Sequence, residues 1–203
     1  MRLYFVRHGE STANCLHEFS NSGNKHSLTE KGIAQAQALA RGLRGIGFSR
    51  IYTSPISRAV QTARILAEHF DAPVVQTEAL REWSVGIYEG TSDPTGWDAH
   101  RRVQQDWFVH QRLESKMPGG ENFLEIQARF VPFIESLVLE FGATDQNLIC
   151  VSHGGLYLAM LPVILQNVDH AFVVKQGFPY TGCVVAEQQE AGLRGLSWCG
   201  QFL

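Results

Sequence analysis

Two arginines and two histidines stand where short apolar runs end, and their side chains suit phosphoryl transfer. Arg7-His8-Gly9 follows the run at residues 3–6, Arg58 comes shortly after residues 51–53, and His153-Gly154-Gly155 follows residues 148–151. Each run reads as a short buried strand. In open α/β sheets, ligands bind beyond the carboxyl ends of the strands. If these strands are parallel neighbours, Arg7, His8, Arg58 and His153 converge on one pocket. Arginine forks bind phosphoryl oxygens bidentately and stay charged at any relevant pH. Backbone N–H groups opening a helix at Gly154 would add donors for the same anion. Near neutral pH His8 is partly uncharged and able to act as a nucleophile, and cationic neighbours favour that form. His153 could stabilise charge on the transferring group. The leaving alcohol needs a proton, and Glu82 is the candidate acid, because a carboxyl close to a bound phosphate has a raised pKa.

The elements that must position these groups are readable in outline. A Ser/Asn/Gly-rich loop is expected over residues 20–27, then a helix over 30–44 with Ile33, Ala36, Leu39, Ala40 and Leu43 on one face. Ser54-Pro55 resembles an N-cap with proline at the first helical position, predicting a helix to about Phe70. Val74-Val75 is a further strand candidate. Residues 83–117 are rich in aromatics and charges, with weak helical periodicity over 97–113, and read as a lid-like insertion. Its rings are expected to pack the lid rather than form a base- or sugar-stacking platform. A long helix follows Pro118-Gly119-Gly120, with Phe123, Ile126, Phe130, Phe133, Leu137 and Phe141 inward and Pro132 expected to kink or break it. Another helix is expected over 156–165. Two tail strands, near 183–187 and 193–198, flank a turn at Ala191-Gly192. Strands alternating with helices predict an α/β three-layer sandwich, a mostly parallel central sheet with helices on both faces, as a single domain over 1–203.

The chain has 203 residues, enough for one sizeable core, with 44% hydrophobic and 18% charged residues. A formal net charge of -3 gives no overall basic field for nucleic acid or anionic lipid, so any positive potential must be local. Cys15, Cys150, Cys183 and Cys199 form no CxxC pair and are expected to be reduced thiols of a cytoplasmic protein, Cys150 inert in its strand. The apolar run at residues 3–6 is too short for a signal-peptide core, and no stretch reaches membrane-spanning length. His17, His26, His69, His100, His110 and His170 lack paired ligand spacing and are expected on the surface or in loops.

Several segments occur in a telling order: Arg7-His8-Gly9-Glu10, Leu28-Thr29 with Gly32, Thr53-Ser54-Pro55 with Arg58, Leu80-Arg81-Glu82 with Gly86 and Glu89-Gly90, Pro118-Gly119-Gly120-Glu121, and Ser152-His153-Gly154. The series resembles the histidine phosphatase superfamily, the phosphoglycerate mutase-like proteins, over residues 2–155. That resemblance implies a phosphohistidine formed on His8. Arg7, Arg58, His153 and Gly154 would hold the phosphate, helped by Asn14. Glu82 would be the general acid, later activating water, with no metal and no organic cofactor. The chain departs from the pattern at Lys25, near where many relatives carry aspartate, and at Trp83-Ser84 after the acid.

A metallohydrolase is disfavoured by the absence of an HExxH or paired His/Asp set and by arginines that would repel a cation. A serine hydrolase is disfavoured because Ser152 lies in VSHGG rather than in a GxSxG elbow. The reading that remains is a phosphomonoester hydrolase acting on a small phosphorylated substrate, without nucleic acid or membrane. The alternatives are a cofactor-dependent phosphoglycerate mutase, which the short gap from Glu82 to Pro118 disfavours, and a catalytically idle phosphate-binding protein. Oligomeric state is not encoded in any local pattern.

Overall fold

The structure is a computed structural model that describes residues 1–23 and 25–203; within the loop expected over 20–27, Asn24 lies outside the described residues. The strands are β1 (Arg2–Arg7), β2 (Arg50–Thr53), β3 (Val74–Gln76), β4 (Asn147–Ser152), β5 (Cys183–Gln189), β6 (Gly192–Trp198) and β7 (Gln201–Phe202). They form one sheet in the order β3-β2-β4-β1-β5-β6-β7. The strands from β3 to β1 run parallel, and the tail strands continue the sheet antiparallel.

The helices are α1 (Thr12–Cys15), α2 (Glu30–Gly42), α3 (Ser57–Phe70), α4 (Pro94–Phe108), α5 (Phe123–Phe141), α6 (Gly154–Ile164) and α7 (His170–Gln176). Strand side chains alternate between faces, so the two sides of β1, β2 and β4 bury different sets. Leu3, Phe5, Tyr52, Leu148 and Cys150 pack with residues of α5 and α6. Tyr4, Val6, Ile51, Ile149 and Val151 pack with Ala40 of α2 and Ala59, Ala63 and Leu66 of α3. Strands covered on both faces read as unbroken apolar runs, which is why residues 148–151 carry no polar position.

Four local expectations are corrected. The helix after β2 starts at Ser57 with Ile56 as its cap residue, not at Pro55. The Ser54 hydroxyl is engaged instead by the imidazole of His153 and the backbone N–H of Ile56. Helix α5 runs unbroken through Pro132, which stands on its exposed face, where water can serve the carbonyl a proline leaves unpaired. Inward packing on α5 uses Ile134, while Phe133 is half-buried against the core. On α2 the alanines Ala36 and Ala40 are buried and Ile33 is exposed.

Candidate active site

Strand register brings the site together. Arg7 at the end of β1 lies beside Ser152 at the end of β4, and Thr53 at the end of β2 lies beside Val151. The next residues, His8, His153 and Ser54, therefore leave the sheet at nearly one level. A hydrogen bond from His8 N to the Ser152 carbonyl, 2.9 Å, continues the ladder to the nucleophile candidate.

The tautomer of His8 follows from its partners. Its Nδ1 lies 2.6 Å from the Gly9 carbonyl, which can only accept, so Nδ1 carries the proton. Arg58 Nε donates to His8 Nε2 at 2.9 Å, so Nε2 presents its lone pair. Burial first, then the charges of Arg58 and Arg7, holds His8 well below its usual value of 6.5. The same causes, led by burial, hold His153 neutral. Arg58 also donates to His153 Nδ1 at 3.2 Å, and His153 Nε2 donates to Ser54 Oγ at 2.7 Å. His153 is fully buried and lies behind Arg58 rather than on the cavity wall. Burial lowers Arg58 to about 10, which leaves it charged at neutral pH.

Arg7 is set differently. Its guanidinium lies over the ring of Tyr180, 4.2 Å from the centroid, and donates to the Phe178 carbonyl. Its Nε is buried without a partner among the described residues, as suits a donor facing an oxyanion. A Cβ on Gly154 would stand 3.1 Å from Arg7 Cζ and Nε, so a side chain there would push the guanidinium off α6 by a few tenths of an ångström.

Glu82 is buried with its carboxylate on the N-terminus of α6. Gly155 N donates to Oε2 at 2.9 Å and Trp83 N to Oε1 at 3.1 Å. Burial raises its pKa, and these backbone donors oppose the shift. Gly155 leaves the Glu82 carboxylate its seat: a Cβ there would lie 2.9 Å from one carboxylate oxygen and 2.6 Å from Trp83 Nε1.

Arg7, His8, Asn14, Arg58, Glu82 and Gly154 line one cavity of about 270 Å³. Asn14 faces it while its Oδ1 accepts from Ser11 N and Oγ. The same cavity takes Trp97, His100 and Gln104 from α4, at a spacing that places them on one helical face, with Phe19 beside them. Sequence reasoning did not place Trp97, His100 and Gln104 on the cavity, since their signal is only a spacing within a weakly periodic stretch, and Phe19 and Tyr180 carry no local signal. The remaining motif residues are scaffold. Thr29 caps α2, Gly9 and Gly32 allow close backbone crossing, Glu89 accepts from Asn21 N and Ser22 N, and Glu121 accepts from Ser84 N.

Of the histidines expected on the surface or in loops, His26 is in a loop but buried, and His100 and His170 are corrected, since they pack within helices α4 and α7. His26 is buried between Thr12 Oγ1 and Glu18. His100 stacks on Trp83 with ring centroids 4.5 Å apart, and burial lowers it to about 4. His170 stacks on Phe108 and bonds the Ala159 carbonyl. Cys150 is buried, and burial pushes its thiol far up. Among the described residues no group of three His, Cys, Asp or Glu is placed to hold a metal ion, and no helix is long and apolar enough to cross a membrane.

The chain belongs to the histidine phosphatase superfamily (branch 1), whose family profile matches residues 3–199. A protein of Hydrogenobacter thermophilus named "Putative phosphoserine phosphatase 2" is 32% identical over 160 residues, 79% of this chain and 76% of that one. The 2,3-bisphosphoglycerate-dependent phosphoglycerate mutase of Methylobacterium radiotolerans is 30% identical over 170 residues, 80% of this chain and 78% of that one. Among solved structures, a mycobacterial glucosyl-3-phosphoglycerate phosphatase shares the fold with a TM-score of 0.80 at 24% identity, covering 97% of this chain and 96% of its own. The α-ribazole phosphatase from Shigella flexneri does so with a TM-score of 0.80 at 23% identity, covering 100% and 98%.

Proposed function

We propose that this chain hydrolyses small phosphomonoesters through a phosphohistidine on His8, without a metal or organic cofactor, as one catalytic unit over residues 1–203 with 83–117 as a lid-like wall. The observation that carries the reading is the pairing of Arg58 Nε with His8 Nε2 while Nδ1 is tied to the Gly9 carbonyl. It leaves a neutral imidazole with one lone pair, beside two guanidiniums able to take a phosphoryl dianion. Those fixed positive charges also make the cavity hostile to a cation.

In the first step Arg58 turns from Nε2 to the phosphoryl oxygens, and Arg7, Asn14 and the N–H of Gly154 bind the others. The Nε2 lone pair forms the N–P bond as the P–O bond to the leaving group breaks. Glu82, whose pKa burial raises, gives its proton to the departing alcohol oxygen. In the second step the Glu82 carboxylate takes a proton from water, whose oxygen attacks phosphorus. The N–P bond breaks, and phosphate leaves His8 neutral. His153 stays behind Arg58, holding it through Nδ1.

Brief exposure to a radiolabelled phosphomonoester, with trapping at neutral or alkaline pH, should leave an acid-labile label on the wild-type chain and none on His8→Ala. EDTA should leave turnover unchanged. Full activity in His8→Ala, or loss of activity with EDTA, would overturn the mechanism. A mutase would move phosphate between hydroxyls of phosphoglycerate without stoichiometric release, and an idle binding protein would take no label.

A further inference from the structure

The cavity's charges restrict what can leave with the alcohol oxygen. Among the described residues that line it, Arg7 and Arg58 are the only cations, and both serve the phosphoryl group in the reading above. The wall contributed by α4 and the segment around Phe19 is different. Trp97 and Phe19 stack with ring centroids 4.0 Å apart, and Leu158 of α6 adds apolar surface. His100 and Gln104 bring uncharged donors and acceptors, and neither side chain hydrogen-bonds another described residue. Burial keeps the His100 imidazole neutral. Glu18 is the one carboxylate on this wall; its bonds to Lys25 and then His26 lower its pKa and keep it ionised. Lys25, exposed with its Nζ 2.6 Å from Glu18 Oε1, does not line the cavity.

We propose that this wall is a subsite for an uncharged, hydroxyl-rich leaving group, a sugar or polyol, and that it rejects one bearing a carboxylate. Hydroxyls donate and accept, as a neutral imidazole and an amide require, and the C–H faces of a sugar or polyol can lie on the rings. A carboxylate would be desolvated beside Glu18 with no cation left to pair it, and specificity against a ligand is often built from such an unpaired charge. The proposal rests on the phosphatase reading and narrows its substrate class.

The test compares kcat/KM for mannitol 1-phosphate and glucose 6-phosphate with that for 3-phosphoglycerate and 2-phosphoglycerate, using p-nitrophenyl phosphate as the general phosphatase substrate. The sugar and polyol esters should lead by about fiftyfold or more. Gln104→Arg, which puts a cation on this wall, should narrow the ratio by roughly tenfold. Calorimetry on His8→Ala should show mannitol 1-phosphate binding at least about tenfold tighter than 3-phosphoglycerate, a readout independent of turnover. If the wild-type chain cleaves p-nitrophenyl phosphate but handles the carboxylate esters as well as the sugar esters, the subsite assignment fails and the phosphatase reading stands. If it cleaves none of these yet His8→Ala keeps the binding preference, the phosphatase reading fails and the subsite stands. Equal binding of the two ligands to His8→Ala would overturn the assignment on its own.

Discussion

Arg58 Nε meets His8 Nε2 at 2.9 Å, so the lone pair proposed to attack phosphorus is held by a cation before substrate binds. The contact joins a donor-only group to an acceptor and thereby selects one tautomer of His8. An anionic phosphoryl oxygen makes a stronger, charge-assisted bond with the same donor, so substrate itself would release the lone pair. Activation and binding are then one rearrangement of a single side chain.

Both site guanidiniums are bonded to carbonyls and imidazoles rather than to carboxylates. Inorganic phosphate or vanadate should therefore stabilise the fold. At a hundred times its dissociation constant a ligand contributes about 2.7 kcal/mol, which for a chain of this size raises Tm by roughly 5–10 °C. Thermal melts with and without phosphate should show the rise in the wild type and its loss in Arg58→Met. An equal rise in Arg58→Met would place the anion elsewhere.

Glu82 is buried and its pKa is raised, so kcat/KM should fall as pH climbs through that elevated value and the carboxyl loses its proton. His8, held well below 6.5, loses its own proton earlier and sets the acid limb. Glu82→Gln should remove the alkaline fall and slow alkyl phosphates by about 10²–10³-fold, yet slow p-nitrophenyl phosphate far less, since its leaving group needs no proton. A kcat/KM loss independent of the leaving group would deny Glu82 its role as acid, because kcat/KM excludes the water step that all substrates share.

Gly155→Ala places a Cβ 2.6 Å from Trp83 Nε1 and about 3 Å from both Glu82 oxygens. The carboxylate must move. Turnover of alkyl phosphates should drop by roughly 10²-fold, the size of a 1 Å misplacement, with circular dichroism unchanged. A fully active Gly155→Ala variant would show that the carboxylate's seat on α6 is unnecessary.

His100 carries a pH dependence of stability. Its folded pKa, about 4, lies below the usual 6.5 because of burial and then Arg101, so its contribution is complete above about 6.5 and lost as pH falls toward 4. The shift corresponds to roughly 3 kcal/mol over that window. Urea melts of His100→Phe at pH 7 and 4.5 should show a smaller difference in stability than the wild type. His8 and His153 add slopes of the same sign, so part of the dependence should remain; an unchanged slope would rule His100 out.

Arg7, His8, Arg58 and His153 were legible because their cues are local, whereas Asn14 rested on the family resemblance and Glu82, at no strand end, chiefly so. Apolar runs at 3–6, 51–53 and 148–151 mark strands, and polar or charged side chains at or shortly after their ends mark the edge where such sheets bind ligands. Arg7, His8, Asn14, Arg58, Glu82 and Gly154 do line one cavity, with His153 behind Arg58. Other features have no local signature. Ser54 reads as a helix cap from its neighbours, yet its hydroxyl accepts from His153, 99 residues away. Nothing around Tyr180 announces that it underlies Arg7, and nothing around Trp97, His100 and Gln104 says that this face of α4 walls the cavity.

By itself the sequence determined the strand ends, the order of the motifs and the chemical types brought to the site, since these depend on neighbouring residues and on backbone propensity. Only the tertiary structure decided which lone pair of His8 is presented, what holds Arg58 and Arg7, and what stands around the leaving group. Those contacts join distant segments through the register of parallel strands, and that register is set by packing both faces of the sheet at once.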